Sequence, residues 1–178
     1  MMNRMARAKV VAGLLTFAAV ITSGGPGQAQ EDWRYGADLG FMTNTVNDTV
    51  FALGFNADYF VTNNFSIGPM LLVAPAGSLT QFGAAGVARI HLKTEYINLV
   101  PFAGVGFVYA NLGAGSNNPT STNATSQYFP LGLTIEYQLR ENLALTTTLM
   151  VNIYNLEFGP AGTDQKSGAV MFGVRFGP

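Results

Sequence analysis

The 178-residue chain contains no cysteine, so neither a disulfide framework nor a thiolate metal site can hold its fold together. Charged residues make up only 11% of it, against about 25% in a usual soluble domain. Histidine is almost as scarce, because His91 is the only one. Long hydrophobic runs are missing too. Apart from Val10 to Ile21, no stretch stays apolar for long, and even those twelve residues fall short of the roughly 20 that a membrane-spanning helix needs. Low charge without a long apolar run points away from helices and toward strands.

The one apolar run has a different reading. Arg4, Arg7 and Lys9 precede it, and Gly27-Gln28-Ala29 follows as a small-x-small cleavage site, which together describe an export signal over residues 1–29. A buried N-terminal helix of a cytosolic domain is the alternative. If cleavage follows Ala29, one domain remains over residues 30–178. Removing the three signal cations leaves six Lys and Arg against ten Asp and Glu, a balance near −4 that gives no support to nucleic-acid binding.

Within residues 30–178 a two-residue alternation recurs. In Phe51-Ala52-Leu53-Gly54-Phe55-Asn56-Ala57-Asp58-Tyr59 the odd positions are mostly large and apolar, and the even ones carry Ala, Gly, Asn and Asp. A strand turns successive side chains to opposite faces, so each such segment has two unlike faces. The alternation predicts eight strands: Asp32 to Thr43, Thr49 to Thr62, Asn64 to Ala74, Leu79 to His91, Tyr96 to Ala110, Ser126 to Leu139, Asn142 to Asn155, and Ser167 to Phe176. Each is roughly 10 to 15 residues long, beyond the 5 or 6 of an ordinary sheet and enough for a tilted crossing of a membrane. The connections alternate as well. Thr62-Asn63-Asn64, Leu92-Lys93-Thr94-Glu95 and Arg140-Glu141 read as tight turns, Asn111 to Thr125 and Leu156 to Lys166 as longer polar loops. The segment from Gly54 aligns without a gap on the segment from Gly132, so the second hairpin resembles the sixth-to-seventh; shared physical demands on membrane hairpins explain this equally well.

Parity then separates the side chains. The apolar face carries no charge, and Trp33, Tyr35, Tyr59, Tyr109 and Tyr137 fall near strand ends, where an aromatic girdle is expected. The other face collects Arg34, Asp38, Asp58, Arg89, His91, Glu136 and Arg175, together with many glycines. Three arginines facing three carboxylates in an enclosed space give the balance that buried charges require, and the expectation is an internal salt-bridge network. A selectivity ring or gate in a pore is the functional alternative. A soluble all-β sandwich would place charge on its water-facing positions, which this pattern does not.

Chemistry is sparse. His91 adjoins a short turn and offers no base for a triad acting on lipid at the outer surface; its expected position is interfacial. No His cluster suggests zinc and no carboxylate spacing suggests calcium, so no catalytic residue, cofactor or metal is expected. Gly104-Val105-Gly106 lies in a strand without the following helix that phosphate binding needs. Pro69, Pro101 and Pro130 fall inside predicted strands, where each removes a ladder donor. Clustered near one seam they would weaken a barrel wall; scattered, they would mark bulges or strand ends.

With its export signal, the phrase Asp58-Tyr59-Phe60-Val61-Thr62-Asn63-Asn64-Phe65-Ser66-Ile67, the strand Pro101-Phe102-Ala103-Gly104-Val105-Gly106-Phe107 and the closing Phe172-Gly173-Val174-Arg175-Phe176, the chain resembles the small eight-stranded outer-membrane barrels of Gram-negative bacteria, the OmpA-like and OmpX-like proteins often called porin-family. The resemblance implies an all-β, eight-stranded antiparallel up-and-down transmembrane barrel in the outer membrane, reached through Sec export. It implies outer-membrane lipid, lipopolysaccharide and the barrel-assembly machinery as partners, with Phe172, Val174 and Phe176 forming the assembly signal. Gly177-Pro178 after the last Phe departs from the family pattern. A non-enzymatic structural or surface-interaction role leads; a passive transporter, either a narrow pore or an OmpW-like lateral route, and a lipid-modifying enzyme follow.

Overall fold

The computed structural model describes residues 33–45, 48–76, 79–113, 122–157 and 163–177, all within Glu31–Pro178. The expected export signal, residues 1–29, lies outside the described residues. Nine strands are present among them: β1 (Trp33–Thr45), β2 (Asp48–Thr62), β3 (Phe65–Ala76), β4 (Leu79–Ile90), β5 (Leu92–Lys93), β6 (Ile97–Leu112), β7 (Thr122–Arg140), β8 (Leu143–Glu157) and β9 (Thr163–Phe176). β5 is a two-residue continuation of β4 past His91, so the wall has eight staves. Each stave pairs antiparallel with its sequence neighbour, and β1 closes on β9 from Tyr35↔Phe176 to Thr43↔Gly168. The sheet has no free edge. Closure satisfies the edge hydrogen bonds that lipid could not satisfy.

The parity read from the sequence is the parity of the wall. Leu39, Phe41, Val105, Phe107, Val151 and Phe172 are exposed on the outside, while Met42, Ala52, Leu72, Val108, Met150 and Met171 are buried within. Tight turns follow β2, β5 and β7, and the barrel's first and last strands begin and end at that same end. His91 N donates to Asn64 O at 2.8 Å, and Asn64 Nδ2 donates to His91 O at 3.2 Å, which ties the β2–β3 turn to the end of β4. At the other end Asp48 adopts φ 58°, a left-handed conformation that Asp tolerates better than most residues, and Thr45 Oγ1 donates to Asp48 O at 3.1 Å.

Three expectations need correction. The connections Asn111 to Thr125 and Leu156 to Lys166 are shorter than expected, because the ladders continue through Asn111↔Asn123 and Leu112↔Thr122 on one side and Leu156↔Asp164 and Glu157↔Thr163 on the other. There the outward positions carry Asn123, Thr125, Gln165 and Glu157 in place of large apolar residues, so the alternation that marks a strand fades although Ala124 and Leu156 still point inward. Leu92 and Lys93, expected in a turn, pair with Leu99 and Asn98. The inner face is also less uniformly polar than expected. Four methionines, Met42, Met70, Met150 and Met171, are buried inside it, where their flexible side chains fill irregular space.

Candidate functional site

The lumen is the only place where ionisable side chains are collected and withheld from solvent among the described residues. Across the lumen, with β9 and β8 between them in the wall, Arg34 of β1 reaches Glu136 of β7, with Nη1 2.8 Å from Oε2. Arg175 of β9 donates through Nη1 to Asp38 Oδ1 on β1 at 2.9 Å. Arg89 of β4 pairs with Asp58 of β2 through Nη1, and its Nη2 donates to Asn56 Oδ1 at 2.7 Å. Asn56 passes the network on, because its Nδ2 donates to Asp38 Oδ2 at 2.8 Å. Thr146 Oγ1 donates to Asp38 Oδ1 at 3.1 Å. Each of the six charged residues is at most 6% exposed.

Asp38 therefore accepts from Arg175, Asn56 and Thr146, and Arg89 is shared between Asp58 and Asn56. Such saturation offsets the desolvation of buried ions, which a bare pair does not always do. Glycine makes the network possible at two positions. A side chain at Gly36 would collide with Arg175, and one at Gly173 would collide with the Asp38 carboxylate and the Ala37 carbonyl. Arg89 Cζ also lies 5.9 Å from the centre of the Phe102 ring, within cation–π range. Two buried polar atoms, Arg34 Nε and Gln81 Oε1, have no hydrogen-bond partner.

Above this charged layer Tyr128 donates to Asn152 Oδ1 at 2.8 Å, and Asn152 Nδ2 donates to Ser167 Oγ at 3.1 Å. Tyr154 donates to Asp164 Oδ2 at 3.4 Å. The space left beside Asp38, Arg89, Arg175 and Thr134 is about 20 Å³, room for one water. The lumen is filled by its own side chains, the state expected of an eight-stranded barrel.

His91 sits below that layer, level with the Asn63–Asn64 turn and beyond the end of β4. It keeps the inward parity expected of it but is buried, not at an interface: its Nε2 lies 2.8 Å from Ser66 Oγ, and Phe60 packs at 4.7 Å between ring centres.

The five aromatic positions divide between the two ends. Trp33 stacks on Tyr35 with ring centres 6.4 Å apart and tilts onto Tyr59 at 5.3 Å, and Tyr137 pairs with Ile97 at the same, short-turn end. Tyr109 lies near the far end of β6. All five are exposed on the outer wall. Phe172, Val174 and Phe176 share the outer face of β9, Phe176 opposite both Tyr35 and Leu143. Sequence parity alone did not single out Asn56, Thr146, Tyr128, Asn152 or the methionines. Each has inward parity, yet an uncharged side chain on that face carries no mark distinguishing a network member from filler.

No protein-family model matches the chain, and no curated protein matches its sequence. Solved structures do match. Neisserial surface protein A is 15% identical over 81% of this chain and 94% of its own, with a TM-score of 0.60. A major outer membrane protein from Thermus thermophilus is 13% identical over 81% and 97%, at 0.54. Ail, the attachment invasion locus protein of Yersinia pestis, is 14% identical over 81% and 96%, at 0.52. The likeness is one of fold: this chain has the closed eight-stranded antiparallel barrel of bacterial outer-membrane proteins.

Proposed function

We propose that the protein is an integral outer-membrane barrel without catalytic activity, whose closed lumen makes it a structural or surface-interacting component of the bacterial envelope rather than a conduit. The observation that carries this reading is the inversion of the wall: large apolar side chains cover the outside, and the charges are paired inside. An apolar exterior this continuous is stable against lipid and would aggregate in water. Outer-membrane lipid and lipopolysaccharide then surround the barrel. Export through Sec and insertion by the barrel-assembly machinery, with Phe172, Val174 and Phe176 of the closing strand as its signal, complete the proposal.

Passive transport is the second class. The ladder interruptions at the three prolines favour it, but the lumen behind them holds Arg89, Asp58 and Glu136, a poor path for an apolar solute. A lipid-modifying enzyme would need a base at the lipid surface, and His91 is enclosed against Ser66 and Phe60. Planar-bilayer recording on refolded protein separates the first two classes. The expected record is flat; stable stepwise conductance overturns the closed-lumen reading.

A further inference from the structure

Three breaks in the hydrogen-bond ladder bound one panel of the wall. Pairing between β2 and β3 stops at Asn56↔Met70 and resumes at Tyr59↔Ile67, skipping the position of Pro69. Pairing between β6 and β7 stops at Ala103↔Leu131 and resumes at Gly106↔Tyr128, skipping Pro130. The third break separates Arg89↔Phe102 from Leu92↔Leu99, at Pro101. A proline has no N–H to donate, so at each break one cross-strand hydrogen bond is missing. Between the first two breaks lie β3, β4 and β6, joined to each other without interruption at this level.

The outside of that panel is hollow. A depression of about 760 Å³ runs over Gly68, Gly86, Ala88, Ala103 and Gly104, with Val105 along its wall. Gly86 is exposed, and a side chain added there would meet no heavy atom within 4 Å. Trp33 and Tyr59 also line it, and they belong to the aromatic cluster at the short-turn end. Aromatic clusters of this kind sit at head-group level.

We propose that this depression holds one acyl chain of a phospholipid, with the head group beside Trp33, Tyr35 and Tyr59 and the chain lying over Gly86 and Ala103. The inference rests on the membrane reading above. The depression is continuous with the apolar outer band, so the phase that covers the band also fills the hollow. Water there would find no set of polar partners, and an empty hollow would forfeit the dispersion contacts of its lining. A chain lying in this shallow, open depression touches its floor and the flanking Ile67, Val105 and Trp33, whereas a chain on the convex wall touches only what lies beneath it. That difference makes the bound lipid slow to leave.

The test uses the single tryptophan, Trp33. Protein folded into bilayers of a phospholipid brominated along its acyl chains is extracted into unbrominated detergent and stripped of loose lipid. The expected result is one phospholipid retained per barrel by native mass spectrometry, with Trp33 fluorescence still quenched. Gly86→Leu, which fills the hollow from open space, should lower the retained fraction at least tenfold and restore fluorescence. Leu145→Val, on the outer face of β8 and away from the depression, should leave both unchanged. No retained lipid, or retention untouched by Gly86→Leu, overturns the proposal; Ala103→Leu serves if Gly86→Leu does not fold. Each sample is first run boiled and unboiled on a denaturing gel. Identical migration of the parent protein defeats the membrane reading itself, whereas a normal shift without lipid retention defeats only the bound chain.

Discussion

Arg89 is the side chain on which the lumen network turns. Its guanidinium meets Asp58, Asn56 and the face of Phe102, so removing it leaves a buried carboxylate without its cation. Arg89→Leu is expected to lower stability by about 3 to 5 kcal/mol, read from urea titration in vesicles. Adding Asp58→Leu should recover most of the loss, because two apolar groups of similar size remove the stranded charge along with its partner. A single substitution without effect would mean that water already solvates Asp58. Parity placed Arg34, Arg89, Asp58 and Glu136 on one face, but not who meets whom. Arg34 stands directly opposite Asp58 in the β1–β2 register, yet it bonds to Glu136, 102 residues away, and leaves Asp58 to Arg89. Such pairing depends on reach across a closed lumen, which a one-dimensional pattern does not encode.

At the scale of the strand, legibility followed the two-faced environment. Inside the apolar band every strand alternates, and the expected segments overlap the observed ones; beyond it β7 starts at Thr122, four residues before the expected Ser126, because the outward Asn123 and Thr125 are polar and the inward Ala124 is too small to mark a period. The break of β4 at His91 was equally hidden, since it arises from the missing donor of Pro101 on the neighbouring strand. Pro69 offers the cleanest test of these breaks. Its ring is on the exposed face, and β3 pairs with β4 through Pro69↔Gly86, so the missing N–H belongs to the β2 side, opposite Ala57. Pro69→Val should restore that bond and suit the strand better. The expected gain is about 0.5 to 1.5 kcal/mol, seen as a higher urea midpoint with an unchanged slope. An equal or lower midpoint would mean that the local twist, and not the donor, opens the ladder.

At the scale of the whole molecule, the claim that separates this barrel from a soluble β-protein is the solvent its outer face meets. Leu39 lies midway along β1, opposite Leu53 and Phe172, and is 56% exposed; Val61 lies near the short-turn end of β2 and is 52% exposed. By exposure the two are alike. In water an arginine at either site would change stability by no more than about 0.5 kcal/mol. In a bilayer their depths differ: the midplane penalty for arginine is about 2 to 4 kcal/mol and falls to about 0 to 1 near the interface. Leu39→Arg should therefore lower stability in vesicles by several times as much as Val61→Arg, while the same pair should converge in a detergent whose micelle lets the guanidinium reach water. Equal small effects in vesicles would return the outer face to water, and with it the whole inverted reading. A large effect at Leu39 alone has no soluble-protein explanation, because nothing packs on that side chain from outside except the surrounding phase.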